Sequence, residues 1–238
     1  GGPAHVSVRA RVAPLLVRPA LVVRPALLVV VTGTGTGVGK TWVSCAVLRQ
    51  WLEAGFPVAA RKPAQSFDVA DGPTDADLLA SASGGRAEEV CPRPRWYPLP
   101  MAPPMAAAAS GRPEFTVDDL VAEMSPLPAS ALTLVEGAGG VASPLATDGD
   151  TATLADALEP HAVLLVAEAG LGTLNLIRLS VRHLSAHPVM VHLNRFDRDD
   201  PLHQANLQWL SRREEVDATT SVAALATRLA SLAPPVVR

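Results

Sequence analysis

Leu27-Leu28-Val29-Val30-Val31-Thr32-Gly33-Thr34-Gly35-Thr36-Gly37-Val38-Gly39-Lys40-Thr41 is the stretch from which the fold of this chain is read. Its five leading aliphatic residues do not alternate with polar ones, so they describe a strand buried on both faces, as inside a parallel sheet. A glycine-rich turn follows, and Trp42 to Leu52 reads as a helix. Strand, turn and helix N-terminus together gather backbone N–H groups around one point, a geometry that receives phosphate. Lys40 would reach the β- and γ-phosphates, and the Thr41 hydroxyl would take a position on Mg²⁺. The spacing is a variant of the usual P-loop, Gly-x5-Gly-Lys-Thr, because Gly33 lies one position early. A turn that merely joins strand to helix is the alternative, and Gly-Lys-Thr at this junction is hard to explain that way.

Composition sets the bounds. The 238 residues suffice for one α/β domain with a filled core. Apolar residues make up 48% but aromatics only 4%, so Ala, Val and Leu must do the packing. A net charge of −3 without a Lys/Arg cluster argues against nucleic acid as a partner. Cys45 and Cys91 form no framework and match no metal spacing, which makes a reducing cytoplasm the default. The six histidines are scattered. A near-repeat, Arg18-Pro19-Ala20-Leu21-Val22-Val23 and Arg24-Pro25-Ala26-Leu27-Leu28-Val29, runs from residues 1–26 into the first strand, and its Arg and Pro break every apolar run of the extension. No membrane span or secretory signal is expected there, only a poorly ordered extension ahead of a single domain over 27–238.

Beyond the first helix, Pro57–Arg61 reads as a second strand that delivers Lys62-Pro63-Ala64-Gln65-Ser66 to its carboxyl end, the ligand-binding edge of open α/β sheets. Thr74 caps a helix through Ala82, with Asp75 and Asp77 in its first turn; for Asp77, dipole complementarity is explanation enough. Residues 91–104 are proline-rich and are expected to be a long ordered loop or lid. Short helices are expected over 105–110 and 116–124. The strand Ala131–Val135 ends in Glu136-Gly137-Ala138-Gly139-Gly140, which places a carboxylate beside the phosphate loop. A helix over 153–158, a strand over 162–167, a helix from the Gly170–Asn175 turn to about 185, a strand over 188–193 and helices over 202–212 and 222–232 complete the pattern. Strands alternating with helices imply a doubly wound, mainly parallel sheet of P-loop NTPase type.

Four blocks in this order, Thr32–Thr41, Lys62–Ser66, Val135–Gly140 and Gly170–Asn175, with Met101-Ala-Pro-Pro between, resemble the dethiobiotin synthetase family. The resemblance runs from about Leu27 to Asn194. It implies an ATP- and Mg²⁺-dependent cyclo-ligase that acts on 7,8-diaminononanoate and CO₂ or bicarbonate. In that chemistry an amine takes up CO₂ as a carbamate, ATP phosphorylates it, and the second amine attacks the mixed anhydride and expels phosphate. By resemblance Lys62, Lys40 and Thr36 are catalytic, with Lys62 bridging carbamate and γ-phosphate. Gly37, Val38, Gly39, Lys40, Thr41, Trp42, Glu136, Gly137, Ala138, Gly139, Asn194 and Arg195 bind nucleotide. Ser66, Thr36, Gly172, Thr173 and Asn175 bind substrate, the last three across a homodimer interface. Thr41, Asp75 and Glu136 hold Mg²⁺, all hard oxygen donors.

Three features depart from the family pattern, one of them the shortness of the loop from Ser66 to Asp75. Phe67 stands where a glycine is usual, and no Gly-x-Ile-Pro segment follows Trp209, where Arg212-Arg213-Glu214-Glu215-Val216 is found instead. The missing segment leaves the base preference open. Two other P-loop classes are alternatives. Amide synthases of the cobyrinate type carry a glutamine amidotransferase domain, for which this chain has no room. Partitioning ATPase switches usually carry a second lysine inside the loop, which here offers Thr34, Gly35, Thr36 and Gly37.

Overall fold

The computed structural model describes residues 25–233; most of the expected extension, residues 1–24, lies outside them. The first strand, β1 (Leu28–Gly33), is buried along its whole length, as an unbroken aliphatic run requires. It is followed by α1 (Lys40–Glu53), β2 (Val58–Arg61), the two-residue β3 (Gln65–Ser66), α2 (Asp75–Ser83) and the short α3 (Ala87–Val90). Next come β4 (Trp96–Tyr97), α4 (Pro103–Ala109), α5 (Val117–Met124), β5 (Leu132–Glu136) and α6 (Thr151–Leu158). The chain continues through β6 (Ala162–Glu168), α7 (Thr173–His183), β7 (Val189–Asn194), α8 (Pro201–Arg213), β8 (Ala218–Thr219) and α9 (Val222–Leu232).

Six strands form one parallel sheet in the order β2-β5-β1-β6-β7-β8. This is the doubly wound class expected. The alternating residues of β1 divide its two faces: Val29 and Val31 pack with α1, α2 and α9, whereas Leu28 and Val30 pack with α4, α5 and α6. Leu165 and Ala167 of β6 continue the second face under α7 and α8. With β5 on one side of β1 and β6 on the other, the chain reverses direction across the sheet at β1. The crevice at that switch point lies beyond the carboxyl ends of β1 and β5.

The proline-rich segment departs from the expected loop. Trp96 and Tyr97 are a proline-free pair within it, and they form β4, parallel to β3. Pro103 and Pro104 open α4, where a missing N–H costs nothing because the first turn has no partner for it. Arg112 fastens this layer by donating from Nη1 to the carbonyls of Pro94 and Trp96 at 3.0 and 2.9 Å. The four-residue α3 and two-residue β8 were not expected, and α6 begins two residues early because Asp150 caps it by accepting from Ala152 and Thr153 N–H. Among the described residues, no helix is long and apolar enough to cross a membrane.

Candidate active site at the carboxyl ends of the central strands

The loop after β1 holds its shape through two residues that can adopt positive φ, Gly37 and Gly39. Gly39 is the stricter position: its φ is +95°, and a Cβ there would stand 2.1 Å from Asn194 Nδ2. That amide lies under the loop and donates to the Val38 carbonyl at 2.9 Å, so the end of β7 braces the loop that β1 launches. Arg195 donates to the Gly37 carbonyl at 3.2 Å and also pairs with Glu168. Lys40 curls back to donate to the Gly35 carbonyl at 3.1 Å. Burial first, and the neighbouring Lys62 second, push its pKa down to about 8.

Beside the loop, the first turns of α1 and α2, the residue after β2 and the end of β5 bring four side chains into contact. The Thr41 hydroxyl lies 2.8 Å from both Asp75 Oδ1 and Glu136 Oε1. It has one hydrogen, so it donates to one of them at a time. The Lys62 ammonium sits between the same carboxylates, 2.6 Å from Asp75 Oδ2 and 2.9 Å from Glu136 Oε1, and donates to the Gly137 carbonyl at 3.1 Å. Burial alone would depress the Lys62 pKa, but Glu136 and Asp75 outweigh it and hold the ammonium above its usual range. Asp75 is likewise pulled below the usual carboxylate range: burial opposes this, and the Lys62 charge overcomes it.

The local sequence explains these positions. Thr74 and Asp77 form a capping box, in which Thr74 accepts from the Asp77 N–H and Asp77 accepts from the Thr74 N–H. Asp77 is thereby turned back onto its own helix, and Asp75 is left to face Thr41 and Lys62. Gln65 ties the parts together: its Oε1 accepts from the Ala76 N–H at 2.9 Å, and its Nε2 lies 3.3 Å from Thr74 Oγ1. Ser44 donates to Glu136 Oε2 at 2.8 Å and fixes the second carboxylate. No role was read for these two residues in the sequence. For Ser44 a signal existed, since it lies one helical turn after Thr41 and so shares its face.

A cavity of about 500 Å³ opens over this cluster. Thr36, Gly37, Gly39, Lys40, Thr41, Trp42, Lys62, Ser66, Asp75, Ala138 and Gly139 line it, with Phe67, Met101 and Pro144 on its apolar side. Glu136 lies beneath, fully buried. Val38 is buried and packs in the core beside α1. Gly172, Thr173 and Asn175 do not line this cavity. They stand past the end of β6, where Thr173 donates to the Glu168 carbonyl, Gly172 precedes α7 and Asn175 is exposed. Asn194 and Arg195 also lie outside the lining, engaged with the loop's backbone. Two carboxylates, Asp75 and Glu136, converge on the Thr41 hydroxyl, and these three hard oxygen donors make a set that suits Mg²⁺ completed by phosphate and water.

A strand-launched glycine loop with lysine and threonine, at the switch point of a parallel sheet, defines a P-loop nucleotide-binding α/β protein. A family model described as an AAA domain matches residues 28–231. The ATP-dependent dethiobiotin synthetase BioD of Anaeromyxobacter dehalogenans (strain 2CP-C) is 43% identical over 194 residues, which cover 77% of this chain and 85% of the relative. The protein of the same name from Rhodococcus jostii (strain RHA1) is 45% identical over 161 residues, covering 67% of this chain and 68% of the relative. The chain belongs to the ATP-dependent dethiobiotin synthetase family. A solved structure of a DUF1611 family protein from Anabaena variabilis ATCC 29413 aligns over 87% of this chain and 58% of its own, at a TM-score of 0.50 and 16% identity, a likeness of fold.

Proposed function

We propose that this chain closes the ureido ring of dethiobiotin from 7,8-diaminononanoate, CO₂ and ATP. One observation carries the reading furthest: a buried ammonium, Lys62, stands between Asp75 and Glu136 beside the phosphate loop, under a cavity that Thr36 and Ser66 also line. One substrate amine bonds to the carbon of CO₂ and gives a carbamate. A carbamate oxygen then attacks the γ-phosphorus, and the bond to ADP breaks. The second amine attacks the carbamoyl carbon and phosphate leaves.

The chain's part is to position groups and neutralise charge. Lys62 is held protonated by its two carboxylates, so it acts as a fixed charge for carbamate and γ-phosphate and does not accept protons. Lys40 and the loop amides face the phosphates. Thr36 and Ser66 hydrogen-bond the substrate amine or carbamate, while Phe67, Met101 and Pro144 cover its apolar part. Thr41, Asp75 and Glu136 would hold Mg²⁺, which supplies charge neutralisation on the phosphates when bound.

The working unit is a homodimer. Leu171, Leu176 and Leu179 are 93%, 44% and 55% exposed, and make an apolar face around Gly172, Thr173 and Asn175. A second subunit across that face completes the groove for the diamine's tail. The two free, buried thiols, Cys45 and Cys91, fit a reducing cytoplasm. The test is phosphate release and dethiobiotin formation, followed by mass spectrometry, with ATP and Mg²⁺ present. Both should require diaminononanoate and bicarbonate together; phosphate release indifferent to the two would favour an ATPase switch instead.

A further inference from the structure

We propose that the indole of Trp42 is the platform on which the nucleobase stacks, and that the site therefore accepts purine and pyrimidine nucleoside triphosphates with little discrimination. This rests on the nucleotide reading above and adds to it the way the base is held.

The chain has four tryptophans, and three are engaged elsewhere. Trp51 is buried against Phe56, Trp96 lies under the Arg93 guanidinium and donates to the Cys91 carbonyl, and Trp209 pairs with Glu214 and Arg213. Trp42 is 62% exposed on the cavity wall. Among the described residues, its ring has no aromatic or cationic neighbour and its N–H no acceptor. Its neighbours on α1, Val43, Val47 and Leu48, are all buried, so the helix does not need this indole for its own packing. Exposing so large an apolar ring is costly unless something covers it.

Position gives the occupant. In a P-loop the lysine meets the β- and γ-phosphates and the loop amides meet the α and β. Lys40 and Thr41 therefore mark the distal phosphates, and the α-phosphate with its nucleoside leaves over the first turn of α1. Trp42 is the side chain next to Thr41 on that turn. Two polar side chains at the end of β7 are turned toward the loop: one Asn194 N–H donates to the Val38 carbonyl, and Arg195 engages Gly37 and Glu168. Stacking without edge recognition is tolerant of base identity, because every base has a π-face.

Calorimetry with the full chain and Mg²⁺ tests this, using ATP, GTP, CTP and inorganic tripolyphosphate as probes. The three nucleotides should bind within about 5-fold of one another. Trp42→Ala should weaken each by about 10-fold, the scale of losing one base–aromatic stack. Trp42→Phe should retain affinity within about 3-fold, since a smaller π-face remains. Tripolyphosphate has no base and should bind all three proteins alike. Nucleotide affinity unchanged in Trp42→Ala, a parallel loss of tripolyphosphate, or a preference for ATP over CTP beyond about 100-fold would overturn the platform. Failure of the parent to bind tripolyphosphate or any nucleotide would instead overturn the nucleotide reading itself.

Discussion

Lys62 and Lys40 are both buried lysines, and their surroundings give them opposite tasks. Lys62 is locked as a cation by Asp75 and Glu136. Lys62→Ala should lower turnover by at least about 10²-fold, the scale for one preorganised electrostatic group, while nucleotide still binds. The same variant leaves two carboxylates facing each other without their cation, so the Asp75 carboxyl should titrate at higher pH than in the parent; carboxylate NMR reads that shift. Lys40 is the titrating one. With its pKa near 8, it is largely neutral at pH 9, and a triphosphate would recharge it. Nucleotide binding at pH 9 should therefore take up a proton, which calorimetry in buffers of different ionisation enthalpy detects. At pH 6.5 the uptake should vanish, because Lys40 is already charged, and Lys40→Ala should abolish it at pH 9. Equal uptake at both pH values would mean that another group titrates.

Two elements on different strands share the task of shaping the phosphate loop, and the bond between Asn194 and Val38 joins them. Asn194→Ala should cost about 1–3 kcal/mol, since it leaves the buried Val38 acceptor unpaired, a fall of roughly 2–10 °C in Tm. Gly39→Ala combines a left-handed backbone with a collision on the same amide and should lose nucleotide binding as well as stability; circular dichroism and calorimetry separate the two effects. Gln65→Leu should raise the Mg²⁺ concentration needed for activity, because it releases the start of α2 and with it Asp75. Much of this was legible in the sequence. The aliphatic run of β1, the Gly-Lys-Thr junction and the Glu136-Gly137 turn each follow from local chemistry that admits few alternatives. What escaped depended on partners distant along the chain. Trp96 and Tyr97 become a strand only because Gln65 and Ser66 lie alongside, and prolines on either side mask them. Gln65 acts through hydrogen bonds to the N-terminus of α2, contacts no spacing rule brings together. β8 has two residues, too few for an alternating pattern to show.

At the scale of the molecule, α7 presents Leu176 and Leu179 to solvent while its Leu174 packs against the core. Leu179→Glu should convert the proposed dimer to a monomer by light scattering, and Asn175→Ala should raise the KM for diaminononanoate with little effect on that for ATP. A fully active monomer would remove the shared groove. A further consequence lies in the position of β1 between β5 and β6. Val30 finds its sheet partners in Val135 and Val163, so the strand that launches the phosphate loop has no neighbours until most of the chain has been made. Such sequence-distant pairings delay folding, since loop closure comes before any contact repays it. During synthesis the loop emerges early and waits, with the apolar flanks of β1 uncovered. The loop is braced only after β6 and β7 have docked, so ligand in the cell favours the finished sheet over every earlier intermediate. At about 100 times its Kd, that bias is worth about 2.7 kcal/mol.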